Sequence, residues 1–292
     1  MVVTPLIGPI LNTVLVQNQL FSSDFCRRTK LLNKIDEFRK NGFIILDDVI
    51  SDNHINQIFN DISNVLDIAL ESIKFEKVIK SCDEKMKLLK NESPKLKSHC
   101  YDILGMLDKV QLVTNNNQIN EFARSYFKTP LCKQGVQIRI DDPSNERNLP
   151  LHQELELMSL LGVAVWIPLV DTDESIGGLQ VVAGSHKLGL QKHLTREQTK
   201  TGYNQVIWEY DQKKITHLTI KKGQAVVFHP FLFHGSMPNK SEQTRWTLVF
   251  RFCNVDYMPY IRNKEAKMFM DRNPSINSPG NEFLKNFTNE NS

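Results

Sequence analysis

Phe233-His234-Gly235-Ser236-Met237-Pro238-Asn239-Lys240-Ser241 runs through Glu242-Gln243-Thr244 into Arg245-Trp246-Thr247-Leu248-Val249-Phe250-Arg251-Phe252-Cys253, and the reading of this stretch decides the fold. Its second part has the period of a strand. Trp246, Leu248, Phe250 and Phe252 fall on one face, and Arg245, Thr247, Val249 and Arg251 fall on the other. The aromatic face needs a dry partner, whereas the face with two arginines must look into a wet cavity. A small barrel with a charged ligand inside meets both demands. The first part leads through a Pro-Asn turn into Arg245.

Working outward, Val136, Ile138 and Ile140 alternate with Gln137, Arg139 and Asp141, as in a half-buried strand. Further strand signals cover 163–169, 179–183, 215–220 and 225–229, separated by Gly177-Gly178, Lys222-Gly223 and Pro238-Asn239. Short strands at this spacing predict a sandwich or barrel. Before residue 134 the texture is helical. Leu31, Leu32, Ile35 and Phe38 recur at helical spacing, Gly42 stops that helix, and Phe43 to Leu46 form a short strand. Ser51 or Asp52 caps a second helix whose stripe is Ile55, Ile58, Phe59, Ile62, Val65, Leu66 and Leu70. The lysine-dense run 74–97 reads as a solvated helical face. One catalytic domain is therefore expected over 28–262, helical to about 134 and β-rich from about 135 to 255. An extension precedes it at 1–27, and a loosely attached Asn- and Ser-rich tail follows at 263–292.

Composition narrows the function classes. The 292 residues are 40% hydrophobic, enough to bury a sizeable core, and the net charge of +3 is too small for a nucleic-acid or membrane-surface footprint. A small-molecule substrate is the expected partner, with no nucleic acid, membrane or obligate protein partner. Cys26, Cys82, Cys100, Cys132 and Cys253 are far apart with no C-x-x-C spacing, which argues against a disulfide framework or zinc cluster and for a reducing, cytoplasmic setting. The first twenty residues contain Pro5 and Pro9 and meet no Arg before Arg27, so they lack the form of a secretory signal. The apolar run 158–170 is shorter than the ~20 residues of a membrane span and is broken by Pro168.

The chemistry concentrates in the β-rich part. His152-Gln153-Glu154 sits at a strand end just after Pro150, and its spacing of two puts His152 and Glu154 on one side of an extended chain. With His234 they offer two imidazoles and a carboxylate. Placed on one face of a metal, that set leaves three positions open, as a non-haem iron oxygenase requires for a bidentate cosubstrate and dioxygen. Any His-x-Glu triplet is a weak signal alone, so its surroundings must decide. Arg245 suits a bidentate grip on a carboxylate, with Arg251 and Arg139 as other inward candidates. Glu156 shares the face of Glu154, but the two-residue spacing favours Glu154. His229 ends a strand close to His234, which is favoured because the Gly-Ser-x-Pro-Asn turn to Arg245 follows it. His186 belongs to a Gly-Ser-His-Lys turn and reads as structural. His54, His99, His193 and His217 are given no role.

Together, the 38–46 entry, His152-Gln153-Glu154, Trp166-Ile167-Pro168-Leu169, Gly177-Gly178-Leu179 leading to Gly184-Ser185-His186-Lys187, and His234-Gly235-Ser236 through Asn239 to Arg245 resemble the phytanoyl-CoA dioxygenase (PhyH) family of 2-oxoglutarate oxygenases. The resemblance implies a mainly β fold, a double-stranded β-helix or cupin-like jelly roll backed by N-terminal helices. It implies His152, Glu154 and His234 as the iron ligands and Arg245 on the distal carboxylate of 2-oxoglutarate. Fe(II), 2-oxoglutarate as cosubstrate and O2 follow, with hydroxylation of an aliphatic C–H as the default and succinate and CO2 as by-products. Two residues depart from the family pattern: Glu154 stands where Asp is usual, and Ala183 where Pro is common. A halogenase would lack the acidic ligand, so the presence of Glu154 argues against one. The alternative class is a non-oxidative cupin-like metal-dependent isomerase or metabolite-binding protein, which would not consume the oxoacid. The segment 187–217 is expected near the barrel mouth. Its polar residues around Tyr203, Trp208 and Tyr210 suit a small polar metabolite better than a fatty acyl chain.

Overall fold

A computed structural model describes residues 28–75, 78–127, 131–143, 149–154, 162–209 and 211–254. Helix α1 (28–41) buries Ile35 and Phe38 and ends at Gly42, whose N–H closes on Phe38 O at 2.7 Å. The φ of Gly42, +81°, is open to glycine at little cost. β1 (Phe43–Leu46) follows directly, and Ser51 then caps α2 (Asp52–Ser72) by accepting from His54 N at 3.2 Å. The stripe Ile55, Ile58, Ile62, Leu66 and Leu70 is buried. Helices α3 (Cys82–Glu92), α4 (Pro94–Leu104), α5 (Asp108–Leu112) and α6 (Asn117–Phe127) complete the helical part. The expected terminal segments 1–27 and 263–292, the rival ligand Glu156 and Tyr210 lie outside the described residues.

Strands β2 (Leu131–Asp141), β3 (Leu149–His152), β4 (Gly162–Pro168), β5 (Leu179–Val182), β6 (His193–Leu194), β7 (Gln205–Val206), β8 (Ile215–His217), β9 (Ala225–Phe228), β10 (His234–Ser236) and β11 (Arg245–Asn254) come next in the chain. A five-stranded sheet has the order β1-β9-β4-β11-β2, and a four-stranded sheet the order β3-β10-β5-β8. All their pairs are antiparallel. This is the jelly roll, backed by the helices. The aromatic face of β11 finds its dry partner there: Trp246, Leu248, Phe250 and Phe252 join Ile138, Val165, Ile167 and Val227 in one core with the helical residues. Each such fully buried side chain contributes ~1.5–3 kcal/mol relative to exposure. The other face, with Ala164, Trp166, Val226, Phe228 and Val249, meets Leu179 and Val181 of the smaller sheet.

Three details differ from the sequence reading. β10 is only His-Gly-Ser, too short and too polar to show a period. β8 ends at His217, because Ile220 leaves the sheet to bridge Thr172. The segment 187–217 does not hang free at the mouth. Its β6-β7 hairpin packs on the outer side of the smaller sheet, where Val206 is buried with Leu151, Val182 and Phe233, and Trp208 lies edge-on to Phe233 at 6.1 Å. Leu151 and Phe233 alternate with His152 and His234, so their side chains emerge on the opposite face and need this cover.

The lysine-dense run also hides an exception to its solvated character. Lys85 is 2% exposed, with its ammonium 2.6 Å from Asp67 and 2.7 Å from Ser63 Oγ. Removing one partner leaves a buried donor short, whereas an apolar side chain of similar shape removes the demand. Asp67→Ala is expected to cost about 1–3 kcal/mol. Lys85→Met should change stability by less than about 1.5 kcal/mol. Urea denaturation of both variants checks the pair; equal losses would show that it is not what holds Lys85.

Candidate functional site

The two residues flanking Gln153 turn inward because Gln153 itself is tied outward. Gln153 is 2% exposed; its amide donates to Gly189 O and Phe231 O at 2.9 and 2.8 Å and accepts from Gln191 N at 2.8 Å. Its backbone N–H reaches His193 Nε2 at 3.2 Å. His193, given no role from sequence, thus helps fix the triplet. Glu154 N–H is held by Pro230 O at 2.9 Å, and His152 lies opposite His234 in the β3-β10 pairing. The outcome is a cluster: one ligand atom from each of His152, Glu154 and His234 lies within 4.8 Å of the others.

Both imidazoles are set in one tautomer. His152 Nδ1 is 2.9 Å from Pro150 O and His234 Nδ1 is 2.9 Å from Leu232 O. A carbonyl only accepts, so each Nδ1 carries the proton and each Nε2 keeps its lone pair for the site. Burial, reinforced by His234, lowers the pKa of His152 to about 3, so it is neutral at ordinary pH. Burial pushes the Glu154 carboxyl up, but the Arg251 guanidinium and the two imidazoles outweigh it and hold the group well below the usual carboxylate range. Arg251 donates to Glu154 through Nε and Nη2 at 2.9–3.1 Å.

At the other end of the cavity Arg245 is 5% exposed. Its Nη2 meets Asp141 Oδ2 at 2.8 Å and Ser236 Oγ at 3.5 Å, and its Nη1 meets Ile176 O at 3.4 Å. The Nε is buried without a hydrogen-bond partner. Gly177 makes room for this guanidinium: at φ +76°, a Cβ there would come within 2.8 Å of Arg245 Nη1. The cavity, about 420 Å³ of empty space counting the open solvent at its mouth, is lined by Arg139, Asp141, Leu149, Trp166, Leu179, Phe228, Ser236, Thr247 and Val249 besides the cluster and Arg245.

Sequence reasoning missed two partners, Asp141 and the pairing of Arg251 with Glu154. Asp141 was visible as an inward position of β2 by period two, but its match to Arg245 depends on the β2-β11 register. His229 is not brought to the cluster. It is buried against Phe38, His186 and Phe231, its Nδ1 accepts from Phe231 N at 3.0 Å, and burial followed by the charge of His186 lowers its pKa to about 3. His186 sits in its turn with Nε2 3.1 Å from Arg39 O.

The family model described as phytanoyl-CoA dioxygenase (PhyH) matches residues 38–247, well over half of the chain. The chain belongs to the PhyH family. It is 26% identical over 243 residues to the peroxisomal phytanoyl-CoA dioxygenase of Bos taurus, an alignment covering 75% of this chain and 67% of that one. Among solved structures it is similar in fold to the non-heme monooxygenase ThoJ, with a TM-score of 0.57 at 16% identity over 76% of this chain and 77% of that one. The alpha-ketoglutarate-dependent epimerase SnoN from nogalamycin biosynthesis gives a TM-score of 0.52 at 12% identity over 78% and 84%. As a PhyH protein the chain is an oxidoreductase of the 2-oxoglutarate-dependent dioxygenase class, working with iron, 2-oxoglutarate and O2.

The donor set fits that metal. Two imidazoles and a carboxylate gathered at one end of a cavity match the facial triad of non-haem Fe(II). The carboxylate oxygens have lone pairs to spare beside the Arg251 bonds. The orphaned Nε of buried Arg245 fits a further acceptor, as the distal carboxylate of 2-oxoglutarate would supply. His152→Ala and His234→Ala are each expected to abolish Fe(II) binding in calorimetry, while His229→Ala keeps it. Loss of the metal in His229→Ala, with retention in His234→Ala, would reassign the third ligand.

Proposed function

We propose that this PhyH enzyme hydroxylates an aliphatic C–H of a small polar metabolite, with 2-oxoglutarate converted to succinate and CO2. In this reading His152, Glu154 and His234 hold the iron and Arg245 holds the distal carboxylate of the cosubstrate. The supporting observation is the placement of both features in one cavity, the three convergent ligand atoms near Arg251 and the incompletely bonded guanidinium beside Ser236. Iron with 2-oxoglutarate and O2 supplies the oxidising power when bound. The residues of the chain do the rest. Arg251 keeps Glu154 ionised and fixes its direction, and the two carbonyl-bound imidazoles present Nε2 without needing to rotate. Trp166 and Phe228 wall the chamber, and Phe228 packs on His234 at 4.5 Å between ring centres. The lining supports a polar substrate: Arg139, Asp141, Ser236 and Thr247 occupy much of a chamber in which an acyl chain would want aliphatics.

Arg245→Gln should raise KM for 2-oxoglutarate roughly 10- to 100-fold, the worth of a charge-assisted bidentate pair. Arg245→Lys should recover only part. An unchanged KM would move the anchor to Arg251 or Arg139. A screen of metabolites for stimulated succinate release should favour polar candidates over phytanoyl-CoA. Equal turnover of phytanoyl-CoA would overturn the substrate reading, and absence of any 2-oxoglutarate consumption would favour a non-oxidative isomerase or binding protein.

A further inference from the structure

Three inward arginines face the chamber region, and two of them are matched. Arg245 has Asp141 at 2.8 Å and Arg251 has Glu154 at 2.9 Å. Arg139 has no such match. It stands on β2 opposite Thr247 of β11, two residues from Asp141 and on the same face, and lines the cavity together with His152 and Glu154. Among the described residues, no carboxylate or carbonyl lies within hydrogen-bonding distance of its guanidinium. Among the described residues, three guanidinium groups against two carboxylates leave one positive charge, and Fe(II) with the 2-oxoglutarate dianion would not change that sum. In the reading above Arg245 takes the distal carboxylate of the cosubstrate, so Arg139 is not needed for that group. A half-buried cation in a walled chamber is poorly hydrated and attracts an anion more strongly than a surface arginine does.

We infer that Arg139 binds an anionic group of the substrate, so that the metabolite oxidised here carries a carboxylate or a phosphate. This rests on the chamber being the reaction site, and it narrows the substrate from polar to anionic. Arg139, two cross-strand pairs along from Arg245, lies ~7 Å further along the strands, and a substrate held there would have its C–H bonds beside the His152 end of the chamber.

The test is a calorimetric titration of the full chain, loaded with Fe(II) and 2-oxoglutarate under argon, with probe pairs that differ in charge. Propionate against propionamide, gluconate against glucitol, and glucose 6-phosphate against glucose separate carboxylate from phosphate recognition. The anionic member of at least one pair should bind roughly tenfold or more tightly than its neutral partner. Arg139→Gln should erase that preference and Arg139→Lys should keep part of it, with thermal melting confirming that both variants fold. The inference is overturned if no pair shows an anion preference, if the preference survives in Arg139→Gln, or if that variant instead raises KM for 2-oxoglutarate. Repeating the titration without iron or cosubstrate keeps the two readings separable: failure of the wild type to form succinate would sink the oxygenase reading, while anion preference is read from binding heat alone.

Discussion

Guanidinium groups buried inside a β-sandwich set the terms for everything around them. Arg245 and Arg251 are 5% and 4% exposed, and a charge so far from water is tolerable only when paired and hydrogen-bonded. Asp141, Ser236 and the Ile176 carbonyl answer for the first, and Glu154 answers for the second. Each answer then acquires a further use. Glu154, ionised because Arg251 requires it, becomes available as a metal ligand at any ordinary pH. Arg245, incompletely bonded, stays receptive to a carboxylate. Polarity inside the sandwich is thus not a defect in the core. The larger apolar core lies on the opposite face of the same sheet, against the helices, while a smaller one shares the interior of the sandwich.

That division of labour was legible in β11 alone. Trp246, Leu248, Phe250 and Phe252 alternate with Arg245, Thr247, Val249 and Arg251, and the first set packs on the helices while the second faces the interior of the sandwich. Arg245 was legible for the same reason, and the triplet at His152 because two-residue spacing in an extended chain has one geometric consequence. What was not legible are the pairings between residues far apart in sequence. Arg251 with Glu154 and Arg245 with Asp141 span 97 and 104 positions, and their matching depends on register, including the irregularity between Val249 and Arg251. Period fixes which face a side chain takes, but not which partner it meets there. β10 escaped for another reason: three residues with a central glycine carry no period at all.

The segment 187–217 shows how a composition argument can point to the wrong place. Expected near the barrel mouth, its mixture of aromatics with polar residues suggested contacts to a polar substrate there. Every strand of the smaller sheet, however, turns one set of side chains inward and the other outward, and the outward set includes Leu151, Val182 and Phe233. Those three would be exposed apolar surface without cover. Val206 and Trp208 supply it, so Trp208 is spent on the back of the sheet. Gln153 uses the same segment to lock the metal-facing triplet, through Gly189 and Gln191.

The extra methylene of Glu154, where Asp is usual in the PhyH family, bears on how the site is held. A longer side chain has one more rotatable bond, and a ligand with that freedom would be placed less exactly than a shorter one. Here the freedom is removed from both ends. Pro230 O fixes the Glu154 backbone N–H, and two nitrogens of Arg251 grip the carboxylate in a fork that admits one orientation. Arg251 is in turn fixed within β11, the strand most extensively paired to its neighbours β2 and β4. The longer acid is therefore oriented by the larger sheet although its backbone belongs to the end of a strand in the smaller one. An aspartate at this position would have to reach the two imidazoles with a shorter arm, and the same fork could not follow it without a shift of β11.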